Sequence, residues 1–268
     1  MPRIYFYYPN KTTAVSVTGQ ECQLNCAHCG GRYLKHMKTL AEVASAPGPQ
    51  PASLLISGGC TTEGKVPLAA HIAQISALKQ NMRYNLHVGL LDNQDISGIA
   101  KIADVVSFDF VGSDDTIREV FGLNRSVQDY SVCYQKLSQN CIVIPHICIG
   151  LDGGQIKGEY RAIRELKALG APAITFIVFT PTRGTKFADC QPPAIEAVLE
   201  VLVEAREEFP DTPLSLGCMR PGGSYRRQID KLAVQAGING IVNPAAEAVK
   251  LACELGLVSE RREECCAL

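Results

Sequence analysis

A (β/α)8 barrel of the TIM type is the fold the sequence predicts, and three observations predict it. Short apolar runs alternate with helix-period segments along almost the whole chain, the pattern of parallel strands joined by crossover helices. Eight such runs can be counted, at 14–18, 53–57, 84–89, 105–110, 141–149, 173–179, 214–218 and 240–242. The length, 268 residues, suits one α/β barrel as well as two smaller domains.

The helical segments between the runs carry recognisable ends. Pro67 stands at a plausible first helical position, and Leu68, Ile72, Ile75 and Leu78 then form one apolar stripe. The segment 159–169 stops at Gly170 with Pro172 just beyond, the usual terminators. Ile195, Val198, Leu199 and Leu202 repeat the stripe in a segment opened by Pro192 and Pro193, and 245–255 ends at Gly256. The run 240–242 is short and the segment before it is weakly helical, so a partial (β/α)6 barrel with a C-terminal extension is the alternative. Residues 1–13 form an N-terminal extension that adds a strand or plugs the lower end, and 14–257 form the barrel. A tail, 258–268, ends Cys265-Cys266-Ala-Leu and could fold back over the mouth.

Composition narrows the functional classes. The net charge of −1 leaves no electrostatic footprint for nucleic acid or an anionic membrane surface. No apolar run approaches the ~20 residues of a membrane span, and the opening residues lack a signal peptide's layout, so the expected location is the cytoplasm. In a reducing compartment the twelve cysteines serve as metal ligands or as small core residues.

Chemistry concentrates at the carboxyl ends of the strands, where a barrel places it. The first strand leads directly into Cys22-Gln-Leu-Asn-Cys26-Ala-His28-Cys29. Three cysteines so close together can hold three irons of a cubane iron–sulfur cluster and leave the fourth open to a small molecule. A zinc site or a redox disulfide is the competing reading, but structural zinc wants four closed ligands and usually paired CxxC units. The second strand ends Ser57-Gly58-Gly59-Cys60, where glycines let the backbone approach a ligand. Ser107 and Asp109 point to the same side of the fourth strand. His146, in the fifth, is either an acid–base group or a hydrogen-bonded core residue. Thr180 and Gly184 follow the sixth strand, and Cys218 and Arg220 close the seventh. Cys133, Cys141 and Cys253 read as core filling. Cys60, Cys190 and Cys218 fall on loops or strand ends at the mouth and, with Cys265 or Cys266, could hold a second iron–sulfur cluster.

These residues resemble the radical S-adenosylmethionine (SAM) superfamily. The stretch from Val15 through the cysteine run to Gly30-Gly31-Arg32-Tyr33-Leu34-Lys35-His36-Met37 is similar to its biotin-synthase-like members. More narrowly, the Ser57-Gly58-Gly59, Gly217-Cys218-Met219-Arg220-Pro221 and terminal Cys265-Cys266 segments resemble the archaeal-type two-component lipoyl synthases. The resemblance implies a [4Fe-4S] cluster on Cys22, Cys26 and Cys29 that binds SAM at its open iron, with His28 in a slot usually filled by an aromatic ring. It implies that Ser57, Gly58 and Gly59 receive the SAM amino group, although Cys60 stands where the family carries an acid. Ser107 and Asp109 would meet the ribose or carboxylate. The Pro181-Thr182-Arg183-Gly184-Thr185 segment, with Thr180, would close over adenine. The implied reaction is sulfur insertion into an unactivated C–H bond of an octanoyl chain on a carrier protein, with an auxiliary cluster as sulfur donor. Arg220 or Arg183 would then contact SAM or the carrier. A paralogous radical SAM protein and a reductant such as ferredoxin are the further implied partners, with no nucleic acid and no membrane. The rival readings are a radical SAM enzyme without sulfur insertion and a non-catalytic iron–sulfur protein.

Overall fold

The structure, a computed structural model, describes residues 2–79 and 81–268. It contains eleven strands: β1 (Arg3–Tyr7), β2 (Thr12–Ser16), β3 (Lys38–Thr39), β4 (Ser53–Ser57), β5 (Arg83–Val88), β6 (Val105–Asp109), β7 (Val143–Ile149), β8 (Ile174–Val178), β9 (Leu214–Leu216), β10 (Gly240–Val242) and β11 (Val258–Arg262). All pair in parallel in one sheet, in the order β11-β1-β10-β9-β8-β7-β6-β5-β4-β2-β3. The eight expected runs are β2 and β4 to β10. Three strands were not counted among them: β1, β3 and β11.

The sheet is open rather than the hydrogen-bonded closed barrel expected from the strand count. Among the described residues β2 and β10 do not pair, because β1 takes the free side of β10. It is nevertheless strongly curled. β1 and β2 stand eight strand spacings apart in the order, about 38 Å if laid flat. The chain from Tyr7 to Thr12 reaches at most about 17 Å. Curling is the only way to satisfy both. The chain after β11 strengthens this seam: Lys11 donates its N–H to the Glu263 carbonyl at 2.9 Å, and the Cys265 N–H donates to Thr12 Oγ1 at 2.9 Å.

Strand alternation then sorts the side chains. Leu54, Ile56, Tyr84, Leu86, Val106, Phe108, Ile147, Ile149, Phe176 and Val178 are buried in the core. Phe108 and Phe110 meet Tyr130 and Tyr134 of the helix Val127–Ser138 with ring centroids 6.0–6.4 Å apart, mostly edge to face. The alternate set faces inward and is largely polar, with Ser53, Ser57, Asn85, His87, Ser107, Asp109, His146, Thr175 and Ser215 interrupted by Leu55, Ile144, Cys148 and Ile177. Register lines them up, with His87 beside Ser107 and a row running Asp109, His146, Thr175, Ser215.

The segment before β10, weakly helical by its apolar pattern, is the helix Gly223–Gln235. What its apolar stripe lacks is supplied by an ion pair. Asp230 and Arg220 are fully buried side chains, with Arg220 Nε 2.6 Å from Asp230 Oδ1. No described helix is long and apolar enough to cross a membrane.

Candidate iron–sulfur site

The cysteine loop is fixed from three sides. Cys26 accepts through its carbonyl from the N–H groups of Cys29 and Gly30, at 3.2 and 2.9 Å, and this turn brings residues 26 and 29 together. The Ala27 N–H donates to the Val120 carbonyl at 2.8 Å, and the Ala27 carbonyl accepts from Phe187 N–H at 3.0 Å. Asn25, Gly30 and Gly31 all have positive φ, 47°, 51° and 69°, a run of left-handed turns that glycine and asparagine tolerate best.

The strand-end glycines lie against the cysteine loop. A Cβ on Gly59 would fall 1.9 Å from the Glu21 carbonyl oxygen and 2.6 Å from Cys22 Cα, so only glycine permits this approach to the cysteine loop. The Gln23 N–H donates to the Cys60 carbonyl at 2.9 Å and locks the two loops together.

Ligand atoms of Cys26, His28 and Cys29 all lie within 4.8 Å of one another. The Cys26 thiol donates to Cys29, so the pair holds one proton: the bond pushes Cys26 up and pulls Cys29 down, with His28 adding to the lowering. Buried His28 Nδ1 has no hydrogen-bond partner, and the ring packs edge-on against Phe121 with centroids 5.7 Å apart. A thiolate ready at neutral pH, two further thiols and an unpartnered imidazole nitrogen make a donor set suited to a soft metal.

Beside it lies a cavity of ≈ 270 Å³. Its walls include Cys22, Cys26, Cys29, Cys60, His28, Ser57, Gly58, Gly59 and Asp109, so most of the expected site residues meet there. Much of the remaining lining is apolar, including Leu24, Leu34, Leu55, Val66 and Leu90. Cys60, expected with the second cluster, belongs to this cavity; burial and then Cys22 push its thiol up to about 12.

Other expectations are corrected by the geometry. Arg220, expected to act on SAM or substrate, is spent on the fold: its fully buried guanidinium donates to Asp230 and to the carbonyls of Gly217, Val242 and Asn243, and it does not line the cavity. Ser107 does not line the cavity; its hydroxyl donates to Asn85 Oδ1 at 2.9 Å in the barrel interior. Thr180 bonds its own strand end, the Val178 carbonyl at 3.2 Å, and Gly184 accepts from Arg32 at 3.1 Å, so both shape the loop over the cysteines without lining the cavity.

The tail does not cover the mouth. It crosses the amino-terminal ends of β2 and β5, where Arg83 pairs with Glu264 and donates to the Leu268 carbonyl at 3.2 Å. Cys265 Sγ accepts from Asn85 Nδ2 at 3.4 Å. Cys266 donates to Cys265, which lowers Cys265 to about 6 and raises Cys266; Cys218 and Thr175 also act on Cys266. Cys265 and Cys266 are half-buried, whereas Cys218, just past the end of β9, is exposed. Among the described residues they do not bring three ligand atoms within the 4.8 Å that Cys26, His28 and Cys29 achieve.

Between the two thiol sets stand His87, Asp109 and His146, of which the sequence reading weighed only the last two. His87 Nε2 lies 3.3 Å from Asp109 Oδ1, and the two imidazole rings are 5.6 Å apart. Burial works against charge on both partners of the pair, but their attraction outweighs it: His87 is raised and Asp109 is held at about 2. Burial and then His87 push His146 down to about 4. In the metal-free protein, ¹⁵N NMR should show His87 titrating above its ordinary 6.5 and His146 near 4. Asp109 contributes stability above its unfolded value near 3.8, lost as pH falls through about 2. The contribution of His87 is complete below 6.5 and is lost as pH rises through its raised value. The pair thus stabilises most between about 4 and 6.5, and Asp109→Asn should lower His87, because burial is then opposed only by the weaker attraction of Cys265.

A scan of protein-family models and a search of curated proteins each found no match. Solved structures do match. HydG, a maturase of the [FeFe]-hydrogenase, aligns at TM-score 0.66 and 14% identity over 96% of this chain and 64% of its own. The HydG of Carboxydothermus hydrogenoformans aligns at 0.65 and 13% identity, over 96% and 68%. Methylornithine synthase (PylB) aligns at 0.60 and 13% identity, over 97% and 84%. The chain shares their fold. It spans just under two thirds of the length of the first of them.

Proposed function

We propose that this chain is a radical SAM enzyme. The observation that carries the reading is the cavity that gathers Cys22, Cys26 and Cys29 with the Ser57-Gly58-Gly59 strand end, the arrangement a three-cysteine cluster with one open iron requires. The donor set fits such a cluster, and the unpartnered His28 nitrogen and the close approach at Gly59 fit a ligand seated beside it. When bound, a cluster of this kind supplies reductive cleavage of SAM and so a 5′-deoxyadenosyl radical that takes hydrogen from carbon.

The chain's own residues supply the rest. Cys22, Cys26 and Cys29 would hold the cluster. Backbone at Ser57, Gly58 and Gly59 is at hand for an ammonium group, and Asp109, kept ionised, faces the same cavity. The apolar wall of Leu24, Leu34, Leu55, Val66 and Leu90 suits an alkyl chain and excludes water from the reacting carbon.

Within that class we favour sulfur insertion into a carrier-bound octanoyl chain, shared with a sister protein and fed electrons by a ferredoxin-like reductant. Exposed Cys218 and half-buried Cys265 and Cys266, whose thiols influence one another electrostatically, support this as ligands of a sulfur-donating cluster. Arg220, Cys60 and Ser107 play no part in it. Anaerobic reconstitution tests both levels. Reductant-dependent formation of 5′-deoxyadenosine is expected, and its absence would sink the whole reading. Iron and sulfide matching two clusters per chain are expected, and one cluster's worth would remove the sulfur step. Cys218→Ala should leave 5′-deoxyadenosine formation within twofold of wild type and eliminate thiolated product. If thiolation survives, Cys218 is no ligand.

A further inference from the structure

The mouth of the cavity carries an unbalanced set of cations. Residues 31–37 line the cavity with one face, through Gly31, Tyr33, Leu34 and Met37. The same segment and its next residue present Arg32, Lys35 and Lys38, of which the two lysines are exposed. The loop after β8 lies against it: Arg32 donates to the Gly184 carbonyl at 3.1 Å, and the Tyr33 hydroxyl meets Thr182 Oγ1 at 3.1 Å. That loop adds exposed Arg183 and Lys186.

None of these five cations forms an ion pair among the described residues, whereas most of the other surface arginines and lysines do. The acid nearest Lys38, Glu42, turns its carboxylate to the Thr39 N–H and hydroxyl at 2.7 and 2.9 Å. Glu21 and Asp189 are the exposed acids next in sequence to these loops. Lys38 itself faces a separate groove with Lys11 and Thr13, so the unpaired cations around the opening are Arg32, Lys35, Arg183 and Lys186; in a chain of net charge −1 they are a local excess and do not reflect general basicity.

We propose that this rim is the docking surface for an acidic face of a partner protein that presents an apolar chain to the cavity. The inference rests on the enzymatic reading above and adds the chemistry of the partner's surface. Charge complementarity supplies the orientation: an acidic face seated on Lys35, Arg183 and Lys186 puts a pendant chain over the apolar wall behind Tyr33 and Leu34. A nucleic acid fits less well, because the cavity behind the rim offers leucine and valine to whatever enters.

The test uses the 268-residue chain and its K35E/K186E variant, neither of whose changes touches the cavity. The probe is an octanoyl-lysine carrier domain with an acidic surface, followed by stopped-flow association at 50 mM and 1 M NaCl. The variant is expected to associate about tenfold or more slowly at low salt. The difference should close at 1 M, where the screening length is ~3 Å. Formation of 5′-deoxyadenosine without carrier, and turnover of a short octanoyl-lysine peptide, should be unchanged. Equal association by variant and wild type overturns the proposal, as does a difference that persists at 1 M salt. Binding of a single-stranded oligonucleotide as tightly as the carrier, lost in the same variant, overturns it in favour of nucleic acid. Wild-type protein that binds the carrier in this way yet makes no 5′-deoxyadenosine overturns the enzymatic reading and leaves the surface standing.

Discussion

Cys26→Ala is expected to leave reductant-dependent SAM cleavage at the no-enzyme background and to strip the loop of its iron. Cys26 is the middle thiol of the three, 7% exposed, and it shares a proton with Cys29. Its removal leaves two sulfurs for three corners, and neighbouring Cys60 has its backbone tied to Gln23, so it is poorly placed to substitute. The turn itself survives, since the Cys26 carbonyl rather than its side chain accepts from Cys29 and Gly30. Loss of one buried heavy atom costs about 1 kcal/mol, so the melting temperature of the metal-free protein should move by only a few degrees. Metal analysis, the ultraviolet–visible spectrum of the reconstituted protein and chromatography of 5′-deoxyadenosine check the three parts. Cys133→Ala, in the core between the helix Val127–Ser138 and its neighbours, serves as the control and should retain its iron.

The largest expected loss of stability lies far from the cysteines. Asp230→Ala should destabilise the fold by about 3–5 kcal/mol, because it leaves the Arg220 guanidinium buried without its counter-charge. Asp230 takes Arg220 Nε at 2.6 Å and a second donor at 2.9 Å, a two-pronged pair, and it also accepts from the Ala245 N–H at 2.8 Å. Together they tie the end of β9, the helix Gly223–Gln235 and the start of the helix Ala246–Glu254. The double variant R220M/D230L replaces both charges with apolar volume and should recover most of the loss. Urea denaturation of the metal-free proteins measures the cycle. Recovery in the double variant would show that Arg220 serves packing, whereas intact stability with lost SAM cleavage in Arg220→Met alone would return it to the active site.

Much of the wall was legible in the sequence because strand and helix periods differ and the capping residues are conventional. All eight expected runs are strands. The short edge strand Lys38–Thr39 and the charged β11 carry no apolar run, so periodicity passes over them. The loop that gathers Cys22, Cys26 and Cys29 was legible from spacing alone, since the ligands are neighbours. Cys60 and Cys218 were not assignable, because which distant loops meet depends on curl and register. A further signal was present and went unused. Ser53, Asn85, His87, Ser107, Asp109, His146, Thr175 and Ser215 fall on alternate positions of successive strands, and that repetition marks a hydrophilic interior which includes the overlooked His87. Arg220 misled because an arginine beside a cysteine at a strand end suggests a ligand, while its partner Asp230 lies ten residues on, in a helix.

The seam has a consequence for the order in which the molecule is made. Every residue lining the cysteine cavity lies between Ala14 and Tyr130, so the ribosome delivers that half first. β1, made earlier still, can pair only with β10 and β11, which emerge last. The amino-terminal strand must therefore wait for the final residues, a long-range pairing of the kind that folds slowly. A nascent chain arrested before residue 240 holds every residue that lines the cysteine cavity and lacks the strands that close the seam.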